Sequence, residues 1–253
     1  MQPDATADGT VRVAADLESP QVVVVTVDRA PVNAMTPEQY ERLATAFEQL
    51  EERADIRCVI LTGAGSRSFI GGADTRQLAG RTPELMRARA RATRRAFAAV
   101  RRAPVPVIAA LNGAAVGSGL VFAACCDIVL AARGIKMGLP ELNVGVPGGT
   151  RHLDGLVPER VARYLVFTRQ LVGPDFFLPY GAVQEVLEPA ALMPRALELA
   201  RRIAETRGDI LRLSKESTRL ARDLPFDDGY RVQQLFMAIA TAEREAERQD
   251  DGT

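Results

Sequence analysis

Two glycine-rich turns carry most of the chemistry that residue type and spacing alone suggest. Gly71-Gly72-Ala73 and Gly117-Ser118-Gly119 each sit at the end of a strand-like run and lead toward a helix. Glycines there permit unusual backbone angles and let a ligand approach main-chain N–H groups closely. The second turn also opens a helix, whose positive end favours an anion or a developing oxyanion. Two converging N–H groups would stabilise an enolate, and such a donor is typically worth about 3–4 kcal/mol of barrier.

Other motifs fall short. Gly63-x-Gly65 follows a strand, but Ser68 stands where a dinucleotide fingerprint needs its third glycine. The stretch around Ser118 lacks the G-x-S-x-G elbow because position 116 is valine. His152, the only histidine, reads as a partly exposed polar residue after a glycine-rich turn. Cys58, Cys125 and Cys126 have neither disulfide nor metal-ligand spacing and read as packing residues in a reducing compartment.

The elements that must hold these turns are an alternation of strands and helices. Val22–Val27 is β-branched throughout and reads as a strand buried on both faces. Thr36, Pro37 and Gln39 form a helix start, and Tyr40, Leu43, Phe47 and Leu50 give that helix one apolar face to about Arg53. Cys58–Thr62, Val105–Leu111 and Asp127–Ala132 are further strands, and an arginine-rich helix runs from Pro83 to Arg102. Its Arg87, Arg91 and Arg95 share a face and are expected to meet solvent and acidic neighbours. From Pro189 the pattern is helical to about Arg248, broken near Gly208 and Pro225. This predicts an α/β class with mostly parallel strands and a helical C-terminal subdomain.

Composition agrees. The 253 residues hold 32 Lys+Arg against 32 Asp+Glu, so no net field draws the chain to nucleic acid or membrane. No apolar run reaches the roughly 20 residues of a spanning helix, and the N-terminus lacks a signal-peptide pattern. A soluble cytoplasmic protein without nucleic-acid or membrane partners is expected.

Five ordered stretches resemble the crotonase (enoyl-CoA hydratase/isomerase) superfamily. They are Arg29–Met35, Val59–Gly63, Phe69–Asp74, Pro106–Gly113 with Gly117–Gly119, and Gly138–Thr150; the turn Gly181–Val183 also fits. The resemblance covers about residues 20 to 215. It implies a spiral of repeated ββα units over residues 11–188, a flexible tail over 1–10, and a C-terminal helical subdomain over 189–253. That subdomain builds trimers, often paired into hexamers. The oxyanion hole would fall on the amides of Ala73 and Ser118, with serine standing where glycine is usual. Coenzyme A, carried by the substrate and not as a separate cofactor, would pass Asn33, Asp74 and Arg76. No metal is implied.

Hydratases of the superfamily use two glutamates. The first would fall at Val121, which can neither hold water nor move a proton; the second matches Glu141. Val121 and Gly149 would lie in the substrate pocket. One glutamate with an apolar partner position resembles the enoyl-CoA isomerases, in which a single carboxylate moves a proton between C2 and C4. Two alternatives stand beside that expectation. The short C-terminal end and the run Tyr180–Ala204 are similar to CoA-independent β-diketone C–C hydrolases, although Gly148, Gly149 and Met237 stand where acidic partners would be needed. A non-catalytic acyl-CoA-binding fold is the other alternative.

Overall fold

Alternating apolar residues along short strands build a sheet that is buried on both sides. The computed structural model describes residues 9–78, 82–147, 150–153 and 156–250. In chain order come β1 (Thr10–Ala15), β2 (Val22–Asp28), α1 (Pro37–Glu51), β3 (Cys58–Gly63), β4 (Ser68–Ile70) and α2 (Pro83–Arg102). Then follow β5 (Val107–Leu111), β6 (Ala114–Val116), α3 (Ser118–Cys125), β7 (Ile128–Ala132) and β8 (Met137–Gly138). The chain continues through α4 (Glu159–Thr168), β9 (Glu185–Leu187), α5 (Pro189–Ala204), α6 (Gly208–Ala221) and α7 (Phe226–Asp250).

The main sheet has the order β1-β2-β3-β5-β7-β9, parallel except for the β1–β2 hairpin. On one face Val25, Leu61, Ala109 and Ala131 join Leu43 and Phe47 of α1 and Phe97 and Val100 of α2 in one core. The intervening residues Val22, Ile60, Ile108 and Leu130 point the other way. They meet Leu192, Ala196, Ala200 and Ala204, a four-residue repeat along α5. Small alanines let that helix lie close to the sheet.

The expected elements appear with small shifts. α1 begins at Pro37, its Thr36 hydroxyl accepting from the Gln39 N–H at 3.3 Å. α2 spans the whole expected Pro83–Arg102. Arg95 on its face pairs with Glu41 and Glu48 of α1, and Arg87 pairs with Glu84 at 2.6 Å. The fold is thus the expected α/β class with C-terminal helices. Two features escape the sequence pattern. β1 starts at Thr10, inside the expected tail, and β4, β6 and β8 form a second, three-stranded parallel sheet.

The C-terminal helices are tied to the sheet by charge. Arg201 makes a forked pair with Asp16 at 2.7 and 2.9 Å, and Lys215 reaches the Asp127 carboxylate at 2.7 Å. Asp127 in turn accepts from the Val107 N–H at 2.7 Å, at the start of β5. Among the described residues, no helix is long and apolar enough to cross a membrane.

One contact sets the position of α3. A methyl group on Gly119 would lie 2.0 Å from the Ile70 carbonyl oxygen of β4, so only glycine allows the helix to rest on that strand. Gly119→Ala is therefore expected to cost about 2–3 kcal/mol, lowering the melting temperature by about 5–10 °C. Gly173→Ala, where an added methyl meets nothing within 4 Å, should change stability by less than about 1 kcal/mol. Thermal unfolding of the two variants checks the contrast.

Candidate active site

The three strands of the small sheet run parallel in the order β4-β6-β8, and their C-terminal ends lie side by side. β4 leads into Gly71-Gly72-Ala73, β6 into Gly117-Ser118, and β8 into Leu139-Pro140-Glu141. The Gly117 N–H donates to the Gly138 carbonyl at 2.9 Å and extends the β6–β8 pairing to the start of α3. Three chain segments far apart in sequence are thereby delivered to one place.

Each turn leaves an amide pointing outward. Met35 and Ala73 form a parallel bridge closed by Met35 N–H to Gly72 O at 2.8 Å and Asp74 N–H to Met35 O at 2.9 Å. In such a bridge the N–H of Ala73 itself faces away from Met35. Ser118 is the first residue of α3, so its N–H has no partner within the helix. Among the described residues neither amide donates to a protein acceptor.

Glycine makes the turns meet. Gly72 has φ 92° and Gly117 φ 58°, both in the region that side chains avoid. A methyl on Gly117 would lie 3.6 Å from the Gly72 Cα and 3.1 Å from Oε1 of Glu141. The glutamate carboxylate therefore lies directly against the start of α3, beside both turns. Its Oε2 is buried and has no hydrogen-bond partner. Burial pushes its pKa above the ordinary carboxylate value, as suits a general base. Val121 lies one turn further along α3, buried in the main core.

The other expected site residues are placed as follows. Asn33 is buried with φ 52°, and its side-chain amide donates to the carbonyls of Ala64 (3.0 Å), Ser68 (2.8 Å) and Phe69 (3.3 Å). Its Oδ1 accepts from the Arg29 N–H at 3.0 Å, so the side chain is turned inward to pin the loop before β4. Asp74 is also buried. Arg76 forks onto it at 3.0 and 2.7 Å, and Arg29 reaches it at 3.0 Å. The Arg76 guanidinium and amide, with Arg29, hold the Asp74 carboxyl well below the usual carboxylate range. The Arg76 side chain itself is 73% exposed. Gly149 and Gly148 lie outside the described residues.

Two features were not legible as functional. Arg29 carries no signal in the sequence beyond its place in a motif. Tyr40 reads as one member of an apolar stripe, yet its hydroxyl lies 2.7 Å from Ser118 Oγ. His152 lies tilted against Phe97, with ring centroids 5.2 Å apart, while Ser118 Oγ accepts from the Tyr40 hydroxyl. Burial, with Arg101 nearby, lowers the His152 pKa. A cleft of about 1190 Å³ opens at the far end of α3, lined by Cys125, Cys126, Lys215 and Tyr230; Glu141 takes no part in it.

Comparison with known proteins fits this geometry. The family model described as enoyl-CoA hydratase/isomerase matches residues 18–246. The chain is 34% identical over 201 residues to the short-chain-enoyl-CoA hydratase of Clostridium acetobutylicum, covering 78% of this chain and 77% of that one. It is 36% identical over 220 residues to the (7aS)-7a-methyl-1,5-dioxo-2,3,5,6,7,7a-hexahydro-1H-indene-carboxyl-CoA hydrolase of Mycobacterium tuberculosis, covering 86% and 88%. The crystal structure of an enoyl-CoA hydratase from Bacillus anthracis superposes with a TM-score of 0.86 at 30% identity, covering 94% of each chain.

The unpartnered Glu141 oxygen has a measurable cost. A group whose pKa is raised by folding loses stability as pH climbs through the folded value. Glu141→Gln should therefore be more stable than the parent by about 1–3 kcal/mol near neutral pH, with the gap closing by about pH 4. Melting temperatures of both proteins across that range check the sign.

Proposed function

The chain belongs to the enoyl-CoA hydratase/isomerase family, and from that premise we propose that it moves a proton within an acyl-CoA thioester using Glu141 as its single carboxylate base. The observation that carries this reading is the position of Glu141. One carboxylate oxygen abuts the oxyanion turn, the other is buried without a partner, and valine occupies the position of a second acid. The substrate brings its own CoA.

In the proposed reaction a β,γ-enoyl thioester binds with its carbonyl oxygen at the amides of Ala73 and Ser118. Glu141 takes the proton from C2, and negative charge moves onto the thioester oxygen as a dienolate. The two N–H groups stabilise that charge, by about 3–4 kcal/mol each if they behave as oxyanion donors elsewhere. Protonated Glu141 returns the proton at C4 and leaves the conjugated α,β-enoyl thioester. No water has to be held. Hydration would need a second polar group to position water, and Val121 offers none.

The Mycobacterium tuberculosis relative supports a second reading. Its name describes a dioxo ring system bearing a carboxyl-CoA and a hydrolase activity. In that reading a base-activated water adds to a ring ketone β to the thioester. The carbon–carbon bond then breaks, and the thioester enolate leaves into the same two amides before taking up a proton. This version acts on a CoA ester, unlike the CoA-independent hydrolase expected as an alternative.

The C-terminal helices support an assembled state. Phe226, Leu235 and Met237 of α7 are 84%, 64% and 65% exposed, more apolar surface than one helix ordinarily leaves bare. We read them as contacts to further copies of the chain, in a trimer or a pair of trimers. Sedimentation should then give a multiple of 27.4 kDa, and a Leu235→Glu, Met237→Glu double variant should sediment as smaller species.

A substrate panel separates the readings. Double-bond migration in a β,γ-enoyl-CoA, lost by at least about a hundredfold in Glu141→Gln, is the expected result. The acid limb of kcat/KM should have its midpoint above 4.5, the ordinary value for this group, because the base must be ionised and its pKa is raised. Ring opening of a cyclic dioxo acyl-CoA without migration would favour the hydrolase. Binding without turnover of any panel member would favour a non-catalytic protein.

A further inference from the structure

The hydroxyl of Tyr40 has no role in packing. Its ring lies against Phe122 (centroids 6.1 Å apart) and Phe97 (6.3 Å), contacts that phenylalanine would make equally well. The side chain is 1% exposed, so the hydroxyl must find a partner inside the protein, and it finds Ser118 Oγ at 2.7 Å. Ser118 is itself 9% exposed. A hydrogen bond between two buried hydroxyls adds little net stability. It does fix geometry, because a shift of either residue breaks the 2.7 Å bond between them.

The residue held in this way is the one whose amide faces the reacting oxygen. The residue that caps α3, Gly117, has no side chain to do so, and no side-chain cap bond is present. Its first turn is held by Gly117 N–H to Gly138 O at 2.9 Å, by Val121 N–H to Gly117 O at 3.2 Å, and by Tyr40. Burial, reinforced by the nearby charge of Glu141, keeps the phenol protonated, while Ser118, Arg89 and Thr93 act in the opposite direction. Tyr40 is therefore a fixed donor and not a base.

We propose that Tyr40 is a positioning residue that aims the Ser118 amide at the substrate carbonyl through its hydrogen bond to Ser118 Oγ. The inference rests on the acyl-CoA reading above. It explains why a tyrosine stands in the apolar stripe of α1 and why a hydroxyl stands at the start of α3. Neither residue exchanges a proton with substrate in this scheme.

The test measures carbonyl polarisation, which a purely structural role would not move. Butyryl-CoA labelled with ¹³C at the thioester carbonyl is bound to the protein, and its infrared stretch is compared with that of free ligand. The parent should shift the stretch to lower frequency, and Tyr40→Phe should lose about half of that shift or more. Ser118→Ala, which keeps the amide, should lose as much, and the double variant no more than either single one. In turnover, Tyr40→Phe should lower kcat about 10- to 100-fold with KM within about threefold. Melting temperatures within a few degrees of the parent show that the ring packing survives. A full parental shift in Tyr40→Phe overturns the proposal, as do single losses that add in the double variant. An absent shift in the parent overturns the acyl-CoA reading and this inference with it.

Discussion

The pairing of three very short parallel strands, with a register shift between Ser68 and Ile70 in β4, is the constraint on which the candidate site depends. β4, β6 and β8 hold three, three and two residues, too few to be stable alone. Their pairing, Ile70 with Ala115 and Val116 with Gly138, makes three strand ends emerge together. A shift of one residue in any of them would withdraw an amide or the glutamate from the others. The strands are held in place by their surroundings. Gly119 lets α3 lie against Ile70, and Asn33 gathers the carbonyls of Ala64, Ser68 and Phe69.

Polar groups near the candidate site differ in how fully they are engaged. Asn33 and Asp74 are surrounded by partners and fix the loops that carry Ala73. Glu141 is the exception, with one oxygen left bare. Full pairing makes a polar group rigid and unreactive, whereas incomplete pairing leaves a carboxylate ready to accept a proton. The difference separates Asp74 from Glu141 more sharply than residue type does. Asp74 is a buried acid and Glu141 a half-buried one, and their pKa values move in opposite directions: Arg76 and Arg29 lie beside Asp74, whereas desolvation dominates at Glu141.

Much of this was legible in the sequence, for identifiable reasons. The long elements announced themselves. Val22–Val27 was unmistakably strand, Thr36-Pro37 marked the start of α1, and the arginine-rich helix ran its full expected length. The small sheet did not, because two or three residues cannot display a period. Its strands lie within or beside the motif stretches, whose order points to the family without revealing how the turns converge. Spacing also could not show that Asn33 and Asp74 spend their side chains within the protein. Tyr40 was concealed by its own hydrophobicity, since an aromatic ring at helical spacing fits an apolar face whatever its hydroxyl does.

The alternation of side chains across the main sheet has a consequence for how such a protein can change. Leu61 belongs to the core shared with α3 and the small sheet, while its neighbour Ile60 belongs to the layer beneath α5. Consecutive letters of one strand thus report to different halves of the molecule, with only peptide backbone between them. Mutations on the α5 side can accumulate and remodel the helical arm with the reactive side insulated from them, and the reverse holds equally. A lineage built on this plan can vary the helix that covers one face of its sheet and the layer beneath the other as two separate inheritances.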